Sequence, residues 1–276
     1  MSSFFRAPAG ALLAMASFVV AAYPAVAATP AAGLLASSMP AQSEYGTIKG
    51  RLVWGGSEVP PEKNLVEKGK APKDVEVCGA NGPIPSRELV VDPETKGVSY
   101  GFVYLVKPNG TNPEAAKALV EKAPRAILDQ KGCEFFPYAQ AIHQDQKLVI
   151  KSSDPVNHNV RYAAFSNSPF NQILAPNGQL EVTLVAEKRP IVVACDIHSW
   201  MKAYLMVFDH PFFAVTGKDG TFEIKGVPAG PQNVVLWQEK VGYVDSKTKA
   251  KGIPVTVTAG GVVDLGDVKI EPSQVK

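Results

Sequence analysis

Two apolar runs, 190–195 (PIVVAC) and 203–208 (AYLMVF), are separated by only seven residues, and this arrangement constrains the fold more than any other feature of the sequence. Runs of this length and composition are typical of buried strands. The intervening segment must therefore be a tight loop. It begins next to Cys195 and carries His198 and Met201, so the sequence predicts two successive strands whose connection presents a thiol, an imidazole and a thioether together.

Most of the chain from Tyr45 onward alternates between apolar and polar residues, as half-buried strands do. Gly and Pro, at 23 residues each, supply the turns between short strands. One helix is predicted over 112–122, because Asn112 suits an N-cap and Pro113 the first helical position. The pattern predicts an all-β fold with one short inserted helix. Further strands are predicted at 46–54, 98–106, 146–151, 159–165 and 179–187.

A second histidine, His158, lies 37 residues before Cys195 and directly before a predicted strand. Antiparallel β folding routinely brings such a loop beside the end of a later strand. Each of these residues alone is more typical of a structural role. Together, one thiolate, two imidazoles and a thioether form a donor set that suits copper, whereas zinc prefers more cysteines or a carboxylate. We therefore predict a copper site formed by His158, Cys195, His198 and Met201.

Composition excludes several other classes of protein. With 28 Lys and Arg against 26 Asp and Glu, and no run of like charges, the chain lacks the basic surface of a nucleic-acid-binding protein. Four histidines are too few for a multicopper oxidase. The three cysteines form neither a C-x-x-C-H haem attachment site nor paired C-x-x-C motifs. No cluster of acid, base and nucleophile is visible in the segment beyond Asp209, and we predict no enzymatic activity for the chain.

Residues 45–209 resemble the cupredoxins, a family of blue-copper β-sandwich proteins, and CDIHSWM is similar in spacing to the short ligand loop of the amicyanin type. This resemblance implies a Greek-key β-sandwich with one type 1 copper. It implies that His158, Cys195 and His198 are the equatorial ligands and that Met201 is the weak axial ligand.

The resemblance also implies roles for residues around the ligands. Asn159 is expected to support the Cys195 loop, and the Cys195 sulfur to accept backbone N–H hydrogen bonds. Two interpretations of Trp200 remain open: part of a docking patch beside an exposed edge of His198, or an anchor packed into the core. The region is longer than a minimal cupredoxin because of segment 57–97 and the helix at 112–122, and these additions either cover the copper or form a docking surface.

The cysteine count predicts a disulfide. If Cys195 binds copper, Cys78 and Cys133 remain, and in an exported protein these two are expected to pair. Two buried free thiols are the alternative.

The C-terminal segment 210–276 is predicted to form a second, small β-sandwich. Its D-G-x-F-x-I strand, P-x-G turn and Trp-containing strand resemble the carboxypeptidase regulatory-like domain, which has no catalytic apparatus of its own. Trp237 and Tyr243 have two interpretations, a core aromatic pair or a platform for carbohydrate.

The N-terminal segment 1–27 has the pattern of a signal peptide, with Arg6 as its single charge and Ala25-Val26-Ala27 as a cleavage site. An uncleaved anchor is the alternative. Residues 28–44, rich in Ala, Ser and Pro, are predicted to be a flexible linker. These features predict a periplasmic or secreted protein with no membrane span after signal cleavage.

Two functional hypotheses follow. In the first, the chain is an exported electron-transfer protein that holds one type 1 copper and exchanges electrons with a redox partner protein. In the second, it is a binding or structural module of the cell envelope, and its copper site is a carrier, a sensor or a vestige. There the C-terminal domain would contact an envelope glycan or protein. The two hypotheses differ in whether the copper is reversibly reduced.

Overall fold

The computed structural model describes residues 44–276, and this part of the chain is nearly all-β, as predicted. The predicted signal peptide 1–27 and all but the last residue of the predicted linker 28–44 lie outside the described residues. No helix within 44–276 is long and apolar enough to cross a membrane. The strands are β1 (Tyr45–Trp54), β2 (Asn64–Val66), β3 (Ile84–Pro85), β4 (Phe102–Leu105), β5 (Arg125–Lys131), β6 (Glu134–Phe136), β7 (Ala139–His143), β8 (Lys147–Ser152), β9 (His158–Tyr162), β10 (Phe170–Leu174), β11 (Gln179–Val182), β12 (Ile191–Ala194), β13 (Lys202–Phe208), β14 (Phe213–Val215), β15 (Thr221–Pro228), β16 (Gly230–Gln238), β17 (Gly242–Tyr243), β18 (Ile253–Val257) and β19 (Val262–Ile270). The helical segments are α1 (Pro113–Lys122) and two short 3-10 helices, Lys249–Lys251 and Pro272–Gln274.

Two sheets built from the middle of the chain share one core. The five-stranded sheet has the order β10-β9-β12-β13-β7, and the four-stranded sheet has the order β11-β8-β5-β6. Leu128 and Ile150 from the four-stranded sheet are buried in one cluster with Val160 and Leu205 from the five-stranded sheet. Because each sheet buries one face against the other, this part of the chain is a β-sandwich.

The five-stranded sheet brings the predicted copper ligands to one edge. Strand β12 pairs antiparallel with both β13 and β9, and Val193 lies opposite Ala203 on one side and Tyr162 on the other. The two apolar runs around residue 200 are therefore neighbouring strands, as their short separation predicts. The start of β9, which is His158, lies beside the loop that follows β12.

A second group of sheets has the orders β15-β1-β19 and β14-β4-β16-β17, with β18 also paired to β16. The predicted boundary between a domain at 45–209 and one at 210–276 does not agree with this pairing. Strands β1 and β4 precede residue 209, but all their strand partners follow it. The C-terminal sheets are therefore completed by strands from the N-terminal half, and all the described residues belong to one compact unit.

The boundary prediction was wrong because it assumed that each domain is continuous in sequence. Ile48 and Leu52 of β1 are completely buried, and they share a core with Phe222 and Ile224 of β15. Alternation of apolar residues shows that a strand buries one face, but it does not show which sheet covers that face.

The predicted helix is confirmed, and its first turn is capped as expected. The Asn112 side chain accepts a hydrogen bond from the Ala115 N–H at 3.0 Å. It also donates to the Gly226 carbonyl at 2.9 Å, which fastens the helix to β15. The predicted strand 98–106 is shorter than expected, because Tyr100 has a φ of +65°, outside the β region.

Trp237 and Tyr243 lie opposite each other on β16 and β17. The Trp237 ring packs against Phe102 and Tyr204, with ring centroids 5.9 and 5.2 Å away. These contacts favour the core aromatic pair over a carbohydrate platform.

Candidate metal centre

Three of the predicted ligands converge at the edge of the five-stranded sheet. His158 is the first residue of β9, Cys195 follows β12, and His198 lies on the loop before β13. One donor atom from each lies within 4.8 Å of the others, and both imidazoles are completely buried. The Nδ1 atoms of the two histidines are 3.0 Å apart, and Cys195 Sγ is 3.7 Å from His198 Nδ1.

Backbone hydrogen bonds close the loop from Cys195 to Met201. The Met201 N–H donates to the His198 carbonyl at 2.9 Å, and the Cys195 N–H donates to the Met201 carbonyl at 3.2 Å. Met201 is buried in the same core as Cys195, whereas Met206 is buried in a different cluster, with Phe102. The structure therefore places Met201 in the ligand loop, and its role as an axial ligand stays a prediction.

Asn159 connects the two segments that carry the ligands. Its side-chain oxygen accepts hydrogen bonds from the N–H groups of Asp196, at 2.5 Å, and Ile197, at 3.3 Å. Its own N–H donates to Cys195 Sγ at 3.5 Å. These contacts are the ones that the resemblance implies for this residue: support of the Cys195 loop and an N–H hydrogen bond to the sulfur.

Each imidazole is held from its far side by a carboxylate. His158 Nε2 donates to Asp154 at 2.9 Å, and His198 Nε2 donates to Asp74 at 2.8 Å. Asp154 is itself buried and also accepts the backbone N–H of Cys133 at 2.8 Å. With both Nε2 atoms occupied in this way, both rings direct Nδ1 towards Cys195.

The same contacts set the protonation of the centre. Burial alone would lower the pKa of His158, but its contacts with Asp154 and Cys195 raise it to about 9. Burial alone would raise the pKa of the Cys195 thiol, but hydrogen bonds with His158, His198 and the Asn159 N–H lower it to about 6. The metal-free centre therefore holds a thiolate beside a protonated imidazole at neutral pH.

These residues fit a single metal cation. Donor atoms that share one ion at bond lengths of about 2.0–2.3 Å are about 3–4 Å apart, which agrees with the observed separations. With both Nε2 atoms protonated, the lone pairs on the facing Nδ1 atoms of His158 and His198 repel each other unless a cation lies between them. In the metal-free protein the second proton of the His158 imidazole is that cation, and a bound metal ion would take its place.

The surroundings of His198 differ from the expectation for an exposed electron-transfer ligand. His198 is 0% exposed, and Asp74, from the long segment 57–97, covers its outer edge. Trp200 lies beside it, with ring centroids 5.2 Å apart, and its Nε1 donates to the Cys133 carbonyl at 3.1 Å. Of the two interpretations of Trp200, these contacts favour the anchor, and of the two for segment 57–97 they favour a cover.

The disulfide predicted between Cys78 and Cys133 is present in the structure, and it lies next to the centre. A sulfur of each cysteine is within 4.8 Å of a ring nitrogen of His198. The bond joins segment 57–97 to the four-stranded sheet. Cys195 is the free cysteine of the described residues, as the copper prediction requires.

Three acidic residues of the site were missed by the sequence analysis. Asp154 had a usable signal, since it precedes His158 by four residues in DPVNHNV, but no role was assigned to it. Asp196 adjoins Cys195 and pairs with Arg161 at 2.6 Å across two strands. Asp74 carries no local signal, because its partner His198 is 124 residues away.

No protein-family model matches this sequence, and no curated protein matches it. Comparison with solved structures finds distant copper proteins. A copper-containing nitrite reductase from Thermus scotoductus SA-01 is 18% identical over 30% of this chain and 22% of its own length, with a TM-score of 0.28. Amicyanin from Paracoccus versutus is 13% identical over 38% of this chain and 97% of its own, with a TM-score of 0.28. At this level the similarity carries no conclusion about function, which must come from the site itself.

Proposed function

We propose that this chain is an electron-transfer protein that holds one copper ion, of type 1, between His158, Cys195 and His198, with Met201 as the weak axial ligand. Copper in such a site supplies one-electron redox chemistry between Cu(I) and Cu(II). The observation that carries the proposal is the facing pair of Nδ1 atoms, 3.0 Å apart and next to a thiolate, with both Nε2 atoms held by carboxylates.

The protein's own residues have three tasks in this function. Asp154 and Asp74 orient the two imidazoles, Asn159 holds the Cys195 loop against β9, and the surrounding core excludes water from the thiolate. A preorganised, buried site keeps its donor positions when the metal changes charge, so that little reorganisation accompanies electron transfer. No residue of the centre is needed to make or break a bond in a substrate.

Further parts of the proposal concern location and partners. A buried disulfide persists in an oxidising compartment, which supports a periplasmic or secreted location. The redox partner is proposed to be a protein. Complete burial of both histidines disfavours the alternative of a copper carrier, since a carrier must release its ion readily. The remaining alternatives are a copper sensor, a vestigial site and a module whose C-terminal sheets contact the cell envelope. Reversible reduction of the bound copper distinguishes electron transfer from all three.

The decisive experiment is to load the purified full chain with Cu(II) and record visible absorption, EPR and voltammetry. An intense thiolate-to-copper band and reversible reduction support electron transfer. Copper that binds without the band, or that cannot be cycled between Cu(II) and Cu(I), contradicts it.

Cys195→Ser should abolish the band while circular dichroism shows a folded protein, because the strands have their own core. Ser199→Ala, an exposed change in the same loop, is the matched control and should keep the band.

A further inference from the structure

Asp74 reaches the proposed metal centre from a loop remote in the sequence. Its carboxylate accepts the His198 Nε2–H at 2.8 Å. The Asp74 side chain is 32% exposed, whereas the His198 side chain is completely buried. The Asp74 carboxylate thus lies between the His198 imidazole and solvent, and no edge of the imidazole is accessible.

The loop around Asp74 is built to hold that carboxylate in place. Asp74 has a φ of +51°, in the left-handed region, which non-glycine residues enter rarely and which Asn and Asp tolerate best. Its carbonyl accepts the N–H groups of Val77 and Cys78 at 2.9 and 2.7 Å. The carboxylate is therefore four residues from the disulfide, in a hydrogen-bonded turn.

The disulfide connects the supports of the two histidines. Cys78 fixes the turn that carries Asp74, and Cys133, its partner, donates its N–H to Asp154, the carboxylate that holds His158. Asp154 is buried and accepts two backbone hydrogen bonds, so its removal would disturb the fold. The Asp74 side chain contacts His198 alone among the hydrogen-bonding groups of the described residues.

We propose that Asp74 is a positioning residue that sets the reduction potential of the copper centre, an inference that rests on the function proposed above. By accepting the Nε2 proton, Asp74 fixes the His198 tautomer and directs the Nδ1 lone pair to the metal. Its negative charge also makes the imidazole a stronger donor. Both effects favour Cu(II) over Cu(I), so the carboxylate lowers the potential for the one-electron reduction of Cu(II) to Cu(I).

The test uses two substitutions that the backbone at this position accepts. Asp74→Asn keeps the shape and removes the charge, and Asp74→Gly removes the side chain where a positive φ suits glycine. Glu76→Gln is the matched control, because it removes one negative charge from an exposed residue of the same loop. The potential of each full-length, copper-loaded protein is measured by voltammetry, and its Cu(II) affinity by competition with a chelator.

We expect both Asp74 variants to have a higher reduction potential than the wild type and a roughly 10–100-fold lower Cu(II) affinity. Glu76→Gln should match the wild type in both. If the Asp74 variants shift no further than Glu76→Gln, the inference is wrong. A wild-type protein without a blue, reversible copper centre would instead refute the proposed function, so the two failures are distinguishable.

Discussion

The side-chain oxygen of Asn159 accepts the backbone N–H of Asp196, and the backbone N–H of Asn159 donates to Sγ of Cys195, the residue before Asp196. A single residue of β9 thus holds both the backbone and the sulfur of the ligand loop. Because the side chain and the backbone of Asn159 both bond to it, the ligand loop is fixed to strand β9 rather than being an independent turn.

Replacement of Asn159 should therefore destabilise the metal-free protein. Asn159→Ala removes the acceptor for two partly buried loop N–H groups, and loss of a hydrogen bond of this kind costs about 1 kcal/mol. The free energy of unfolding, measured by urea titration, should fall by that amount. Asn171→Ala is the matched control, since the exposed Asn171 side chain bonds with the side chains of Asn159 and Asp196 and with no loop N–H group, and its loss should cost less. Equal losses would contradict the supporting role of Asn159.

The ligand loop was predictable because its information is local. Cys195, His198 and Met201 lie on one connection of fixed length between two apolar runs, so their proximity follows from the sequence spacing. The helix was equally local, since Asn112 and Pro113 mark its start and the cap forms within three residues. The ligand loop and the helix depend on residues close together in the sequence, and the rules for strand alternation and helix capping apply to such residues.

The placement of Asp74 and the pairing of the strands depend on distant contacts, which local sequence patterns do not indicate. Strand β1 shows a clear alternation, yet its parallel partner β19 begins more than 200 residues later. Asp74 lies in a charged loop, and it contacts His198 four residues before Cys78, which the disulfide joins to Cys133. Local patterns indicate that a residue is buried or exposed, and the tertiary fold decides what it contacts.

The axial ligand can be tested by the order of three reduction potentials. Replacement of Met201 with Leu should keep copper and the blue colour but raise the potential, because loss of a weak donor destabilises Cu(II) relative to Cu(I). Met201→Gln, which offers a harder oxygen, should lower it. Met206→Leu is the control, since Met206 is buried in a separate cluster. A shift in Met206→Leu without one in Met201→Leu would show that the loop has been interpreted incorrectly.

The disulfide should contribute strongly to stability. Cys78 and Cys133 are 55 residues apart, and closing a loop of this length stabilises a fold by about 4 kcal/mol on the chain-entropy estimate. The double variant Cys78→Ala/Cys133→Ala should lose about that much free energy of unfolding in urea. In the wild type, mass spectrometry of an unreduced digest should find the two peptides joined. Two alkylatable thiols at these positions, or an unchanged unfolding midpoint in the double variant, would contradict the prediction.

The pairing of strands across residue 209 predicts that residues 44–209 do not fold alone. A chain of residues 44–209 lacks β15 and β19, the two neighbours of β1, and also lacks β14 and β16, the two neighbours of β4. Ile48 and Leu52 would then lose the core that covers them, and burying one such side chain contributes about 1.5–3 kcal/mol. We expect 44–209 to aggregate or to unfold without a cooperative transition in circular dichroism. The control, 44–276, keeps every described strand pair and should unfold cooperatively. If 44–209 gave a sharp transition and a blue copper band, the sheets that contain β1 and β4 would not be needed for folding of the metal centre.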